Sequence, residues 1–268
     1  MMGGSRLLGL ESIRQVFAKT SAAGRSAFLP YFPIGYPDYE TSLDIIEGMA
    51  RAGVDAFEIG MPFSDPLADG PVIQAATSTA LANGVNTRRC LEAVGELRHR
   101  GVEQPLLLMG YLNPILSYGV AEFAADARAF GADGLIVPDL PPEETAILST
   151  PCARHDLAMV QFVTPNSDEA RIAAADENAT GFIYVVSLKG TTGARESVSE
   201  GLADLLGRLR GQTDKPLVVG FGIGSPEHAR AINGLCDGFI VGSALVNAAR
   251  IPGDAQRLAE DIMGALVE

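Results

Sequence analysis

Asp55-Ala56-Phe57-Glu58-Ile59-Gly60-Met61 reads as a short buried strand, and Pro62-Phe63-Ser64-Asp65-Pro66-Leu67-Ala68-Asp69-Gly70-Pro71 reads as the stiff loop that follows it. Strand alternation puts Phe57, Ile59 and Met61 on one face and Ala56, Glu58 and Gly60 on the other. A glutamate among small residues on a buried strand needs a partner, a raised pKa or a chemical task. The loop beyond it carries three prolines and a second carboxylate, Asp69.

The same pattern of apolar run, loop and amphipathic stretch repeats along the chain. Strands are expected at Ala27–Phe32, Ala56–Met61, Pro105–Gly110, Gly134–Val137, Ala158–Val163, Gly181–Ser187, Leu217–Gly220 and Gly238–Val241. Between them the periodicity predicts helices over Thr41–Arg51, Arg88–Arg100, Val120–Phe130, Glu143–Ala153, Asp168–Ala175, Glu200–Arg210 and Pro226–Asn233. Thr87 and Ser225 are the expected N-caps of two of these, the second followed by proline at the first helical position. Eight strand–helix alternations imply parallel strands with right-handed crossovers, and eight such units most often close into a (β/α)8 barrel. An open doubly wound sheet is the alternative, but Tyr31-Phe32-Pro33-Ile34-Gly35-Tyr36-Pro37 after the first strand is not a dinucleotide fingerprint. Ser12–Lys19 reads as an extra helix before the first strand, plugging the barrel bottom. The expected organisation is one α/β barrel domain over 9–268 with a flexible start over 1–8.

The chain has 268 residues, 47% of them hydrophobic, enough for a core of this kind. A net charge of −13 and an isoelectric point near 4.7 argue against nucleic acid as partner. An anionic ligand would have to be held locally, by backbone N–H groups or helix ends. Cys90, Cys152 and Cys236 are isolated, which suits a reduced cytoplasmic protein better than a disulfide scaffold or a zinc site. His99, His155 and His228 fall in separate helical stretches and form no ligand cluster, so metal-dependent hydrolysis or aldol chemistry is disfavoured. No secretory leader pattern and no apolar run of membrane-spanning length is present.

In a barrel, the loops after the strands build the active site. Glu58 and Asp69 therefore face one mouth, and two acids in different environments suit chemistry that both gives and takes protons. The plainer alternatives are a structural ion pair for Glu58 and a local cap for Asp69 near the helix starting at Pro71. A second constellation is glycine-rich: Gly220-Phe221-Gly222-Ile223-Gly224-Ser225 after the seventh strand and Gly242-Ser243-Ala244-Leu245 after the eighth, where many barrels hold a phosphate. A third, Ser187-Leu188-Lys189-Gly190-Thr191-Thr192-Gly193-Ala194-Arg195-Glu196, reads either as a mobile lid or as a plain surface loop. A Schiff-base aldolase would need a lysine at a strand end; the lysines are Lys19, Lys189 and Lys215, and Lys189 lies in the lid stretch.

The stretch Glu58-Ile59-Gly60-Met61-Pro62-Phe63-Ser64-Asp65-Pro66-Leu67-Ala68-Asp69-Gly70-Pro71 resembles the signature of the tryptophan synthase alpha subunit family. The likeness continues in Asn113-Pro114, Pro138-Asp139-Leu140-Pro141, Thr191-Thr192-Gly193-Ala194, Gly220-Phe221-Gly222-Ile223 and Gly242-Ser243-Ala244. It implies a TIM barrel that cleaves indole-3-glycerol phosphate by a retro-aldol step to indole and glyceraldehyde 3-phosphate. It implies Glu58 and Asp69 as the acid–base pair and Gly193, Gly222, Gly242 and Ser243 around the substrate phosphate. Tyr184, Phe221, Tyr111, Tyr31 and Thr192 would line the indole pocket and lid. The resemblance also implies no metal or organic cofactor in this subunit. Its partner would be a beta subunit carrying pyridoxal phosphate, in an alpha2-beta2 heterotetramer. The lid departs from the family pattern at Leu188-Lys189, where many members have arginine followed by a small residue, and at Thr191, where valine is frequent. A catalytically silent activator of a beta chain and a stand-alone indole-releasing lyase are the other functions compatible with such a chain.

Overall fold

The structure, a computed structural model, describes residues 7–186, 195–220 and 222–267, and only the backbone of 195–200. Eight strands, β1 (Ala27–Pro33), β2 (Phe57–Gly60), β3 (Leu106–Met109), β4 (Gly134–Ile136), β5 (Ala158–Val163), β6 (Ile183–Val186), β7 (Leu217–Gly220) and β8 (Gly238–Val241), pair in parallel in chain order, and β8 pairs with β1 to close the barrel. The open-sheet alternative is thereby excluded. The helices are α1 (Leu10–Ala22), α2 (Tyr39–Arg51), α3 (Pro71–Ala82), α4 (Thr87–His99), α5 (Leu112–Tyr118), α6 (Val120–Phe130), α7 (Ala146–Arg154), α8 (Glu169–Asn178), α9 (Arg195–Arg210), α10 (Pro226–Ile232), α11 (Ser243–Ala248) and α12 (Asp254–Val267).

The helix starts are set by short polar side chains that satisfy otherwise free backbone N–H groups. Asp38 accepts from Thr41 N–H at 2.9 Å, Asn86 from Arg89 N–H at 2.9 Å, Asp168 from Arg171 N–H at 2.8 Å and Ser225 from His228 N–H at 3.3 Å. The expected cap Thr87 is therefore the first residue of α4, and Asn86, one position earlier, is the cap. The expected helix Glu143–Ala153 is two pieces, a 3₁₀ turn at Pro142–Glu144 followed by α7. Helix α9 begins at Arg195, inside the stretch read as loop, whereas Ser187–Ala194 lie outside the described residues.

Helix α1 covers the N-terminal end of the barrel, as expected. Phe17 meets Phe182 edge-on with centroids 5.9 Å apart, and Ser12 Oγ and Gly9 N–H both donate to buried Asp133, at 3.1 and 2.7 Å. The floor below the strands follows a repeat. Asp55, just before β2, accepts from Phe28 N–H at the start of β1 (2.9 Å) and pairs with Arg25. Asp133, before β4, accepts from Leu106 N–H in β3 (2.8 Å) and pairs with Arg98. Thr180, before β6, accepts from Met159 N–H in β5 (2.8 Å). Asp237, before β8, accepts from Leu217 N–H in β7 (2.6 Å) and pairs with Arg210. These acceptors replace ladder partners that the first residues of a strand lack. Fixing the floor leaves the opposite, C-terminal mouth to the loops.

Candidate active site

Strand β2 carries Glu58 into the barrel lumen, level with Tyr31 on β1 and Leu107 on β3. The side chain is only 2% exposed and opens onto a cavity of 910 Å³ at the C-terminal mouth, a size that suits a small-molecule ligand. Among the described residues Glu58 makes no ion pair, so the structural-pair alternative has no partner here. Two residues further along β2, Gly60 leaves space for the Tyr31 ring: a Cβ at position 60 would sit 2.5 Å from the Tyr31 hydroxyl. The phenol thus lies over the Glu58 layer.

Asp69 is half-buried on the loop between β2 and α3 and lines the same cavity. That loop is held by Asp69 N–H donating to Pro66 O (3.1 Å), Gln74 Nε2 donating to Asp69 O (2.8 Å) and Ala68 N–H donating to the Tyr111 hydroxyl (3.0 Å). Phe63 packs on Tyr111 at 5.3 Å. Gly70, not Asp69, is the N-cap of α3, and no side chain caps that helix. The Asp69 carboxylate is not engaged as a helix cap and accepts a hydrogen bond from the Tyr111 hydroxyl.

Burial pushes the Glu58 carboxyl up to about 8, and the nearby Asp69 charge adds to the shift. Burial lifts Asp69 to about 6, opposed by hydrogen bonding from Tyr111. At neutral pH the deeper acid keeps its proton and the shallower one is ionised, the separation of roles that two-carboxylate catalysis uses.

Across the lumen Tyr184 on β6 stacks on Phe162 of β5, with centroids 4.8 Å apart and planes 28° off parallel. Tyr31, Tyr184, Ile73 and Phe162 form apolar walls suited to a flat aromatic ligand. Tyr111 stands behind, fixing the Asp69 loop and not lining the cavity itself. Gly222, Gly242 and Ser243 line the same cavity, and Gly242 adjoins the Tyr31 wall, since a Cβ there would lie 3.4 Å from Tyr31 and 3.5 Å from Ile73. Gly222 has φ of 69°, a left-handed conformation that glycine tolerates. Gly242 and Ser243 open α11, whose first-turn N–H groups have no partner inside the helix. Gly193, Thr192 and Phe221 lie outside the described residues, as does Lys189. Lys215 pairs with Asp176 at the barrel floor and Lys19 lies in α1, so neither is a Schiff-base candidate.

Phe162, Ile73, Thr164, Ser167 and Arg171 also line the cavity and were not singled out from the sequence. Phe162 was legible in principle, since Val160 and Phe162 share one face of β5. Thr164, Ser167 and Arg171 come to the mouth through the loop after β5 and the first turn of α8, with no local sequence signal. Among the described residues no cluster of three or more His, Cys, Asp or Glu could hold a metal ion.

A closed (β/α)8 barrel with two carboxylates of divergent pKa at one mouth is the framework of an acid–base enzyme acting on a small anionic substrate. Comparison with known proteins places it more narrowly. The family model described as tryptophan synthase alpha chain matches residues 17–264, and the chain belongs to that family. It is similar to the tryptophan synthase alpha chain of Chloroflexus aggregans, 48% identical over 238 residues covering 89% of each chain. That of Roseiflexus castenholzii is 49% identical over 238 residues, covering 89% of this chain and 91% of the relative. Among solved structures, Mycobacterium tuberculosis tryptophan synthase superposes with a TM-score of 0.89 at 38% identity, over 96% of this chain and 98% of that one. The alpha subunit from Legionella pneumophila gives 0.88 at 34% identity, over 95% and 98%.

Proposed function

We propose that Glu58 and Asp69 are the acid–base pair with which this chain performs the reaction of its family, the cleavage of indole-3-glycerol phosphate to indole and glyceraldehyde 3-phosphate. The observation that carries the assignment is the pair of carboxyls lining one mouth, Glu58 buried in the lumen and Asp69 half-buried above it, with burial raising both. Protonated Glu58 gives its proton to C3 of the indole ring. Positive charge then develops on the ring nitrogen, and the Asp69 carboxylate stabilises that N–H. The Glu58 carboxylate, now ionised, takes the proton of the glycerol hydroxyl beside the ring. The C–C bond breaks, its electron pair returns to the ring, the aldehyde forms and Glu58 is again protonated. The two groups suffice for this sequence without a metal or organic cofactor in the chain.

The phosphate is assigned to the backbone of Gly222, Gly242 and Ser243, and the indole ring to the space between Tyr31 and Tyr184. The product indole passes to a beta subunit for L-tryptophan synthesis. The docking surface is assigned to the rigid loop after β2, where Phe63 packs inward on Tyr111 and Leu67 is 92% exposed. The beta subunit is expected to carry the pyridoxal phosphate. No described helix is long and apolar enough to cross a membrane, and the free cysteines suit a cytoplasmic location.

Indole release from indole-3-glycerol phosphate by the isolated chain tests the assignment. Glu58→Gln and Asp69→Asn are each expected to lower the rate by about 10²–10⁴-fold with the fold intact. Wild-type turnover in either variant removes that residue from the mechanism.

A further inference from the structure

We propose that His228 is a positioning residue for the phosphate loop, its ring nitrogen Nδ1 holding the backbone of Gly224 against α11. This deepens the assignment of the phosphate to the loops after β7 and β8 and rests on it.

Gly224 lies between Gly222 and the start of α10 and lines the cavity. Its N–H donates to His228 Nδ1 at 3.4 Å. Nδ1 is the acceptor in this bond, with its lone pair turned to the Gly224 N–H. The histidine is itself anchored, because its own N–H donates to the capping Ser225 Oγ at 3.3 Å. Gly224 also meets the second phosphate loop: a Cβ at position 224 would lie 3.1 Å from Ala244 Cβ in the first turn of α11. The backbone at Gly224 is thus held by an imidazole and packed close to the helix that Gly242 and Ser243 open. Such an arrangement fixes the distance between the two sets of N–H groups assigned to the phosphate. It also diverts the Gly224 N–H from the anion to the ring. A misplaced donor costs a charge-assisted hydrogen bond far more than its small displacement suggests.

The position of the acceptor atom separates this role from simple packing. Asparagine can place Oδ1 where the ring has Nδ1, whereas alanine offers no acceptor. His228→Ala is expected to weaken glycerol 3-phosphate binding, and to raise KM for indole-3-glycerol phosphate, by about five- to tenfold. Its kcat should stay within about twofold of wild type, because the acids are untouched. His228→Asn should return both affinities to within about twofold. In the wild type, the ¹⁵N resonances of the His228 ring should show an unprotonated Nδ1, a measurement that stands even where the alanine variant fails to fold. A protonated Nδ1, wild-type affinity in His228→Ala, or failure of His228→Asn to restore binding would each overturn the proposal. Titration of wild-type protein with glycerol 3-phosphate separates the two layers. Shifts at the Gly222 and Gly242 amides with unchanged affinity in His228→Ala remove only the role of His228. Absence of those shifts removes the phosphate assignment and this proposal with it.

Discussion

The Tyr184 ring occupies the space that a side chain at position 220 would need: a Cβ on Gly220 would lie 2.1 Å from the ring edge and 2.2 Å from the hydroxyl. Strands β6 and β7 are direct neighbours, so the ring lies over the bare Gly220 backbone beside it while stacking on Phe162 of β5. Gly220→Ala is therefore expected to push Tyr184 off Phe162 and to cost about 1–3 kcal/mol by overpacking. Chemical denaturation gives the stability change, and KM for indole-3-glycerol phosphate should rise in the same variant. A variant as stable and as active as wild type would mean that the ring does not need this gap.

The proposed roles of the two acids predict the pH dependence of turnover. With Asp69 near 6, its carboxylate forms as the pH rises through that value, and kcat should rise with it. With Glu58 near 8, the proton it must deliver is lost above that value, and kcat should fall. A bell with limbs near 6 and 8 is expected, its two apparent values belonging to the pair because the groups interact. Asp69→Asn should erase the acid limb in whatever activity remains.

Stability carries the same titration with its own sign. Glu58 ionises near 4.5 in an ordinary environment and near 8 in the fold, so between those values the folded chain holds a proton that the unfolded chain has released. Stability at this position is full below about 4.5 and declines as the pH rises toward 8, with a slope of up to about 1.4 kcal/mol per pH unit. Glu58→Gln cannot ionise. Its Tm should gain on wild type across that window and run parallel to it above about 8. A constant difference at all pH values would show that burial does not raise this carboxyl.

The floor depends on Asp133. It is fully buried and receives the Gly9 and Leu106 N–H groups, the Ser12 hydroxyl and the Arg98 guanidinium, the last at 2.6 Å. Asp133→Ala takes the carboxylate from the buried Arg98, which keeps its bonds to the Gly131, Val102 and Gln104 carbonyls, and removes the acceptor of several donors, so a loss of about 3 kcal/mol is expected on denaturation. Because Gly9 and Ser12 lead into α1, amide exchange in that helix should accelerate more than in α12.

Leu67 tests the docking surface. Its side chain covers nothing within the described chain, so Leu67→Asp should leave Tm and basal indole release unchanged. It should weaken co-elution with a beta subunit in gel filtration and reduce the rate gain on mixing. Undiminished co-elution would move the interface away from this loop.

Much of this architecture was legible because buried strands of a parallel barrel are near-continuous apolar runs. Each of the eight fell within two residues of its expected bounds. Helix ends were less legible. Asn86 and Thr87 are both good caps by residue type, and only the backbone path decides that Asn86 accepts from Arg89. The proline at Pro151 stays inside α7, and the break comes earlier, at the 3₁₀ turn after Pro141. At the site, Glu58 and Asp69 stood out because carboxylates beside apolar strands are costly. Phe162 and Ile73 did not, since an apolar residue facing a cavity has the same local signature as one facing the core. Arg171 sits more than a hundred residues from Glu58 in the chain, and closure of the barrel alone makes them neighbours at one mouth.

The four acceptors beneath the strands also bear on how the chain can be divided. Each binds an even strand to the odd strand before it, so β1–β2, β3–β4, β5–β6 and β7–β8 are each fastened within themselves. A cut between α7 and β5 would leave two half-barrels, each with two of its fastenings complete and neither borrowing one from the other. What the halves would have to rebuild on meeting is the backbone ladder at β4–β5 and at β8–β1, with Ser26 donating to Cys236 O at 2.7 Å across the second seam. The enclosed lumen that buries Glu58 would exist only after both seams had closed.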